Sequence, residues 1–199
     1  MPFDDWMTPP PVIELARKCL GTIDIDPASN YVAQSYVSAK KFCVSSLEYD
    51  YRKDSDCYSD GLEVNWIGNV WCNPPYSKGL IDAFSEKMVR EFACGNVGRA
   101  LFLVNSATDS RWYHKLLNHC TATVLWRGRI RFWKIFVGKA HEKWEGEKSK
   151  AEGKGKVGNS PRYLNTLFYF DEEQNVTPLK EYFGNKGTIV FGEKFVVRK

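Results

Sequence analysis

The chain has 199 residues, of which 43% are apolar and 26% are charged, and its formal net charge at pH 7 is +4. This length and composition predict one folded domain, residues 1–199, and argue against a disordered or fibrous protein. No apolar stretch reaches the roughly 18 residues of a membrane span, and the first residues are acidic where a secretory signal is basic, so we expect a cytoplasmic protein.

Helix and strand patterns alternate along the first part of the chain, which predicts an α/β fold. Residues 12–20 place apolar side chains at helical spacing, with prolines before or in the first turn and Gly21 at the end. The sequence T-I-D-I-D then predicts a short strand that stops at Pro27. Residues 28–68 are polar and turn-rich, and they predict no definite element.

The middle of the chain predicts two strands with a helix between them. The sequence N-V-W-C at 69–72 predicts a short strand, and Ser77 is expected to cap a helix that ends near Phe92. The inward face of that helix is expected to hold Leu80, Ile81, Phe84, Met88 and Phe92. The run A-L-F-L-V at 100–104 is typical of a strand that is buried on both faces.

The last part of the chain predicts one more helix, which opens at Asp109 or Ser110, and then mainly strands. These strands are expected at 121–126, 129–136, 164–170 and 188–197. Residues 138–160 are rich in Gly, Lys and Glu and show no periodicity, which predicts a flexible basic loop.

Six cysteines are scattered along the chain: Cys19, Cys43, Cys57, Cys72, Cys94 and Cys120. They form no C-x-x-C pair and have no neighbouring histidine ladder, so the sequence predicts neither a metal site nor a disulfide framework. We expect reduced and mostly buried thiols.

Positive charge is concentrated between Arg127 and Arg162, where eleven Lys or Arg residues stand against four Glu, a local charge of +7. A polyanion is one partner for such a segment, and a solvated lysine-rich loop is the alternative. Arg127, Arg129 and Arg131 are candidates for contact with phosphate or guanine, since alternation puts Arg129 and Arg131 on one side of the predicted strand.

Two polar clusters, D-I-D-P and N-P-P-Y, each follow a predicted strand. In open α/β sheets the ligand crevice lies outside the carboxyl ends of the strands, so the clusters can converge there. The plain alternative for N-P-P-Y is a turn, because Asn-Pro and Pro-Pro pairs are common turn sequences.

The N-P-P-Y sequence at 73–76 suits methyl transfer to an exocyclic amino group. The lone pair of such a nitrogen is delocalised into the base ring, so the nitrogen attacks poorly. The side-chain oxygen of Asn73 and the carbonyl oxygen of Pro74 can accept its two hydrogens and stabilise the positive charge that develops. The Tyr76 ring offers a surface on which an extruded base can stack.

The order of several short motifs resembles the small phage DNA N-6-adenine methyltransferases of the Dam type, over about residues 5–170. The motifs are W-M-T-P-P, I-D-I-D-P-A-S, D-G-L, V-W-C-N-P-P-Y-S, N-S-A-T-D-S and L-W-R-G-R-I-R-F. The resemblance implies a Rossmann-like S-adenosylmethionine-dependent methyltransferase fold, with a mixed, mostly parallel sheet flanked by helices.

The resemblance also implies functions for individual residues. The residues expected to bind S-adenosylmethionine are Trp6, Thr8, Pro9, Asp24, Asp26 and Pro27. The residues expected to form the catalytic motif are Asn73, Pro74, Pro75 and Tyr76. Region 105–162 is expected to contact double-stranded DNA, with no obligate protein partner, in the cytoplasm of a bacterial host if the chain is of phage origin.

Three alternatives remain at this level. The acceptor could be RNA or a protein glutamine, since the same tetrapeptide serves related chemistry. The chain could also be an inactive relative that only binds DNA, although the intact motif argues against this.

Overall fold

The computed structural model describes residues 6–44, 56–58, 60–77, 79–134 and 163–192. The loop predicted at 138–160 and the last part of the strand predicted at 188–197 lie outside these ranges. No helix in the described ranges is long and apolar enough to cross a membrane.

Five helices alternate with ten strands along the described chain. The helices are α1 (Pro10–Leu20), α2 (Tyr31–Val37), α3 (Leu80–Ala93), α4 (Arg111–His119) and α5 (Thr177–Phe183). The strands are β1 (Trp6–Met7), β2 (Ile25–Asp26), β3 (Lys41–Cys43), β4 (Cys57–Tyr58), β5 (Gly68–Cys72), β6 (Val97–Asn105), β7 (Ala122–Trp126), β8 (Trp133–Lys134), β9 (Asn165–Asp171) and β10 (Gly187–Phe191).

Eight strands form one sheet in the order β10-β7-β9-β6-β5-β2-β3-β4, and β1 pairs with β8 in a separate two-stranded ribbon. The neighbours from β6 to β4 are parallel, whereas β9 is antiparallel to both β6 and β7, and β10 is antiparallel to β7. Six of the eight strands therefore point the same way. The expected mixed, mostly parallel sheet with flanking helices is confirmed.

The sheet is buried on both faces. One face, here called the α1 face, packs against α1, α2 and α5 through buried residues that include Trp71, Leu101, Leu103, Val124 and Leu167. The other face, here called the α3 face, packs against α3 and α4 through residues that include Val70, Phe102, Val104, Phe168 and Phe170. Strand β6 contributes to both faces, as its continuous apolar run predicts.

The start of α3 differs from the prediction. The residue before the helix is Gly79 rather than Ser77, and its φ of 90° is a conformation that glycine adopts easily. Ser77 contributes only its carbonyl oxygen, which accepts from the amides of Leu80 and Ile81. Leu80 was predicted to face inward, but it is 40% exposed because it lies in this first turn.

The strand predicted at 129–136 is mostly wrong. Among its described residues, 129–134, only Trp133–Lys134 is a strand, and it pairs with β1 rather than with the main sheet; residues 135 and 136 lie outside the described ranges. The amide of Ile130 donates to the side-chain oxygen of Asn165. A side-chain hydrogen bond therefore holds this part of the chain, in place of the backbone hydrogen bonds of a sheet. The alternation in burial does hold, since Arg129 and Arg131 are exposed and Ile130 is buried.

All six cysteines are free, and five of them are buried; Cys94 is exposed. Burial raises the pKa of the Cys19, Cys43 and Cys120 thiols to about 12, so these thiols stay protonated. Within the described ranges no three His, Cys, Asp or Glu side chains come together as a metal site.

Candidate active site

The N-P-P-Y segment leaves the carboxyl end of β5 and enters an open rim of the sheet. Two hydrogen bonds fix the orientation of the Asn73 amide. Its Nδ2 donates to the carbonyl oxygen of Trp6 at 2.9 Å, and its Oδ1 accepts from the hydroxyl of Tyr76 at 2.9 Å. The oxygen has a second lone pair, so it can still accept from another donor.

The Tyr76 hydroxyl has a second acceptor within reach. The carbonyl oxygen of Leu103, on the neighbouring strand β6, lies 3.2 Å away. The Tyr76 ring is half-buried against the apolar cluster of the α3 face. Pro74 is buried and Pro75 is half-buried, so the two prolines hold the backbone of the motif against the sheet.

The β1–β8 ribbon brings the start of the chain over this motif. In its register Trp6 faces Lys134 and Met7 faces Trp133. The carbonyl oxygen of Trp6, which accepts from the Asn73 amide, thus belongs to β1. Its partner strand β8 directly follows the segment that contains Arg127, Arg129 and Arg131.

A cleft lies beside Asn73, between the carboxyl ends of β2 and β5. It is lined by Trp6, Met7, Thr8, Ile13, Asp26, Ala28, Ser29, Asn30, Ala33, Tyr36, Val37, Trp71 and Asn73. The cleft therefore joins three regions that the sequence predicted to converge: the W-M-T-P-P segment, the D-I-D-P strand end and the N-P-P-Y motif.

Asp26 is the acidic group in the cleft lining. It is 3% exposed, and its carboxylate accepts from the amide of Ala28 at 3.3 Å and from Nε2 of Gln34 at 3.1 Å. Burial raises the pKa of Asp26 to about 7, against the partial relief that its hydrogen bonds give. No ion pair with Asp26 is found in the described part of the chain.

Helix α2 supports Asp26, and the sequence analysis missed this helix. Asn30 caps it by accepting from the amide of Ala33 at 2.8 Å. Gln34, one turn later, donates to Asp26 and also to Ser29 Oγ at 2.6 Å. The signal that could have found the helix is the capping asparagine, since Ala33 and Val37 follow it at helical spacing.

Tyr36, also on α2, ties the cleft to the W-M-T-P-P segment. Its hydroxyl donates to the carbonyl oxygen of Thr8 at 2.9 Å. The side-chain oxygen of Thr8 is buried, and no described group forms a hydrogen bond with it. A buried hydroxyl without a partner is costly, so this oxygen is a polar position that a ligand can satisfy.

The other predicted cofactor residues lie around the cleft rather than in its lining. Asp24 contacts the amide of Asn69 at 2.8 Å and Nζ of Lys40 at 2.7 Å. Partial burial acts to raise the pKa of Asp24, but the hydrogen bond and charge of Lys40 hold that pKa below its usual value. Pro9 ends the segment before α1, where its carbonyl oxygen accepts from the amides of Val12 and Ile13.

Pro27 is held in place from behind by the D-G-L segment. A β-carbon on Gly61 would lie 1.9 Å from the carbonyl oxygen of Pro27, so only glycine fits this contact. Trp66, which is fully buried, donates from Nε1 to the carbonyl oxygen of Gly61 at 2.8 Å. The D-G-L segment and Trp66 therefore support the loop after Asp26 and do not line the cleft.

The three predicted DNA-binding arginines are all exposed. Arg127, Arg129 and Arg131 lie between β7 and β8, on the segment that leads into the ribbon with β1. The segment that carries these arginines continues into β8. Strand β8 pairs with β1, whose Trp6 carbonyl oxygen accepts from the Asn73 amide.

The residues of the cleft suit S-adenosylmethionine. This cation carries hydroxyl and ammonium groups whose hydrogen bonds Asp26 can accept. The Thr8 hydroxyl, which has no hydrogen-bond partner among the described residues, offers a further polar contact. The apolar lining, which includes Met7, Ile13 and Trp71, suits the thioether chain and the adenine ring of such a molecule.

The chain matches one protein family. The family model described as "DNA N-6-adenine-methyltransferase (Dam)" matches residues 2–158, which is more than half of the chain. Comparison with curated proteins and comparison with solved structures give no significant match.

Proposed function

Since the chain belongs to the DNA N-6-adenine-methyltransferase (Dam) family, we propose that it methylates an adenine flipped out of double-stranded DNA, with S-adenosylmethionine as donor and Asn73–Tyr76 as the catalytic motif. Membership of the family makes the protein an adenine-specific DNA methyltransferase. It also favours DNA over the RNA and protein acceptors that the tetrapeptide alone leaves open. The observation that carries the proposal is that Asn73 and the buried Asp26 line one cleft.

The donor would be held on the β2 side of the cleft. Asp26 would accept from its hydroxyl or ammonium groups, Thr8 would contact a polar group, and Trp6 and Met7 would cover the site. Bound there, S-adenosylmethionine supplies an electrophilic methyl group beside Asn73. Such a donor requires no strong general base, and the described residues that line the cleft include no histidine.

Asn73 and Pro74 would act on the acceptor amine. Their oxygens accept hydrogen bonds from its two N–H groups, which draws the nitrogen toward tetrahedral geometry and stabilises the positive charge of the transition state. As the N–CH3 bond forms, the S–CH3 bond of the donor breaks, S-adenosylhomocysteine leaves, and the methylated nitrogen releases one proton to solvent. Fixed dipoles of this kind contribute roughly a few kcal/mol each in a site without water. Asn73 is already oriented by Trp6 and Tyr76, so little reorganisation is needed.

Base flipping is part of this proposal because the amino group of an adenine in a duplex is paired and stacked. The Asn73 amide lies at the rim of a folded sheet, where a base inside a duplex cannot reach it. The exposed arginines beside the ribbon would hold the phosphate backbone while the base enters.

The test is to incubate unmethylated duplex DNA with the protein and methyl-labelled S-adenosylmethionine, and then to digest the DNA to nucleosides. We expect labelled N6-methyladenine from the native protein. Asn73→Ala is expected to lower kcat by at least about a hundredfold, while donor affinity stays within a few-fold, because the lost oxygen acts in the transition state.

Asn118→Ala, on the exposed side of α4, is the matched control and is expected to keep full activity. Full activity of Asn73→Ala would exclude the catalytic function proposed for this residue. Label on cytosine or on protein, with none on adenine, would exclude the proposed acceptor.

A further inference from the structure

Four polar side chains lie along one rim of the sheet, at the carboxyl ends of β2, β5 and β6 and at the amino end of the antiparallel β9. They are Asp26, Asn73, Asn105 and Asn165. The first two line the cleft already described. The two asparagines on β6 and β9 have no function in the proposal above.

Side-chain alternation places these asparagines on the same face as Asn73. Asn105 has the parity of Leu103, and Asn165 has the parity of Leu167, and both leucines pack on the α1 face. Asn73 likewise has the parity of Trp71, which packs on the α1 face and lines the cleft.

Asn105 and Asn165 also face each other directly. They are partners in the antiparallel register of β6 and β9, and the β-carbons of such partners lie about 4.5–5.5 Å apart. Since β6 is the neighbour of β5, the pair lies one strand beyond Asn73, on the side away from Asp26.

The hydrogen bonds of this pair are incomplete. Asn165 is 2% exposed, and its Oδ1 accepts from the amide of Ile130 at 3.4 Å. Its Nδ2 is buried and has no acceptor among the described residues. Asn105 is half-buried, and in the described chain its side chain forms no hydrogen bond. A buried amide donor without an acceptor is costly, which points to the side-chain oxygen of the facing Asn105 as its acceptor once a ligand fixes the Asn105 side chain.

We propose that Asn105 determines specificity by donating a hydrogen bond to one of the two ring nitrogens, N1 or N7, that flank the amino group of the target adenine, and that Asn165 positions Asn105. In this arrangement the amide of Ile130 donates to Asn165, Nδ2 of Asn165 donates to Oδ1 of Asn105, and Nδ2 of Asn105 donates to the base. Each of the three nitrogen atoms in this arrangement then has an acceptor.

The location suits the base rather than the methyl donor. The donor occupies the β2 side of Asn73 in the proposed function, so the base must approach from the other side, where Asn105 lies. An adenine whose amino group donates its hydrogen bonds to Asn73 and Pro74 still presents ring nitrogens that need a hydrogen-bond donor. An asparagine amide can donate such a hydrogen bond and is suited to recognising adenine. This inference rests on the proposed position of the flipped base.

The test compares Asn105→Ala with the native protein on DNA that carries adenine, 1-deazaadenine or 7-deazaadenine at the target position. We expect Asn105→Ala to lower kcat/KM on adenine about tenfold, the effect of losing one hydrogen bond in a closed site. One of the two analogues is expected to cause a similar loss with the native protein and no further loss with the variant.

If the losses from the variant and from each analogue multiply, Asn105 does not contact the base and the inference fails. If neither the variant nor either analogue lowers kcat/KM, the inference also fails. Failure of the native protein to methylate any adenine would instead remove the proposed function.

Asn165→Asp tests the positioning step, because it keeps the oxygen that accepts from Ile130 and removes the Nδ2 donor. We expect Asn165→Asp to lower kcat/KM in the native background but to cause no further loss in the Asn105→Ala background. The affinity for S-adenosylmethionine is expected to stay unchanged. An equal loss in both backgrounds would show that Asn165 acts on stability alone. Asn118→Ala again serves as the control.

Discussion

The carboxyl group of Asp26 is removed from water in the folded protein, and the groups that donate to it are uncharged. Its pKa of about 7 lies above the ordinary 3.8, so the native state holds its proton more tightly than the unfolded state does. This contribution to the free energy of unfolding is complete below about pH 4. It is lost as pH rises to about 7, by up to roughly 4 kcal/mol.

We therefore predict that Asp26→Asn removes this loss. As pH rises from 5 to 8, the free energy of unfolding of the native protein is expected to fall relative to that of the variant, because only the native protein has a carboxyl proton to release at this position. Urea unfolding at several pH values measures the difference. A gap between the two proteins that does not change with pH would contradict the raised pKa.

Donor binding is expected to show the opposite pH dependence. The ionised form of Asp26 accepts hydrogen bonds and attracts a cation, so the affinity for S-adenosylmethionine is expected to rise by up to tenfold per pH unit as pH increases toward 7. Equilibrium binding at pH 6 and pH 8 checks this. The affinity of Asp26→Asn is expected to be lower and independent of pH over this interval.

Tyr76 shows how a substrate amine can reach Asn73 at low cost. A hydroxyl has one proton, and that proton can go to Oδ1 of Asn73 or to the carbonyl oxygen of Leu103. When an amine takes Asn73, the hydroxyl still has Leu103 as an acceptor. No buried donor is then left without a partner.

Among the elements, the loop after β2 depends on a contact from outside the cleft. Gly61 packs against the carbonyl oxygen of Pro27, and we predict that Gly61→Ala pushes this loop away from its place. Donor affinity is expected to fall at least about tenfold, and stability by about 1–3 kcal/mol, as is typical of overpacking. Calorimetric titration and thermal unfolding measure the two effects.

Gly98→Ala is the control for this change. A β-carbon on Gly98 would lie 3.4 Å from a side-chain oxygen of Glu172, whose exposed side chain can move. We expect it to leave donor affinity and stability nearly unchanged. Equal effects of both substitutions would show that Gly61 has no special relation to the cleft.

The elements that the sequence predicted well are those with long patterns. Helix α1 and strand β6 follow from helical spacing and from a continuous apolar run, and both bury the residues expected. Helix α2 has two turns and its main signal is one capping residue, Asn30, so periodicity could not reveal it. The start of α3 depended on the backbone of Gly79, which no apolar pattern records.

At the scale of the whole molecule, the basic segment next to the ribbon is expected to carry DNA binding. We predict that replacing Arg129 and Arg131 with glutamine weakens duplex binding and lowers the slope of log affinity against log salt by about two, since each phosphate contact contributes about 0.9. Fluorescence anisotropy over a range of salt concentrations gives the slope.

Lys18→Gln is the control, because Lys18 lies on α1 and pairs with Glu14 at 3.0 Å, away from the arginine segment in sequence. We expect no change in its slope. An unchanged slope in the arginine variant would remove both arginines from the interface.

The candidate site was predictable only in part. The order of the motifs predicted site residues that include Trp6, Thr8, Asp26 and Asn73. All four line one cleft. Asp24 has similar surroundings in sequence, but it precedes β2, and its carboxylate contacts Lys40 and the amide of Asn69 instead of the cleft. The pairing of Asn105 with Asn165 depends on strand register across the sheet, which a single sequence does not reveal.

The ribbon between β1 and β8 joins positions that are far apart along the chain, and it has only two residues in each strand. Closing so large a loop has a high entropic cost, and a short ribbon has little stability alone, so it can form only on a sheet that is already assembled. The carbonyl oxygen of Trp6 then reaches the Asn73 amide. We therefore expect competence for catalysis to be acquired at the end of folding, after the core has closed.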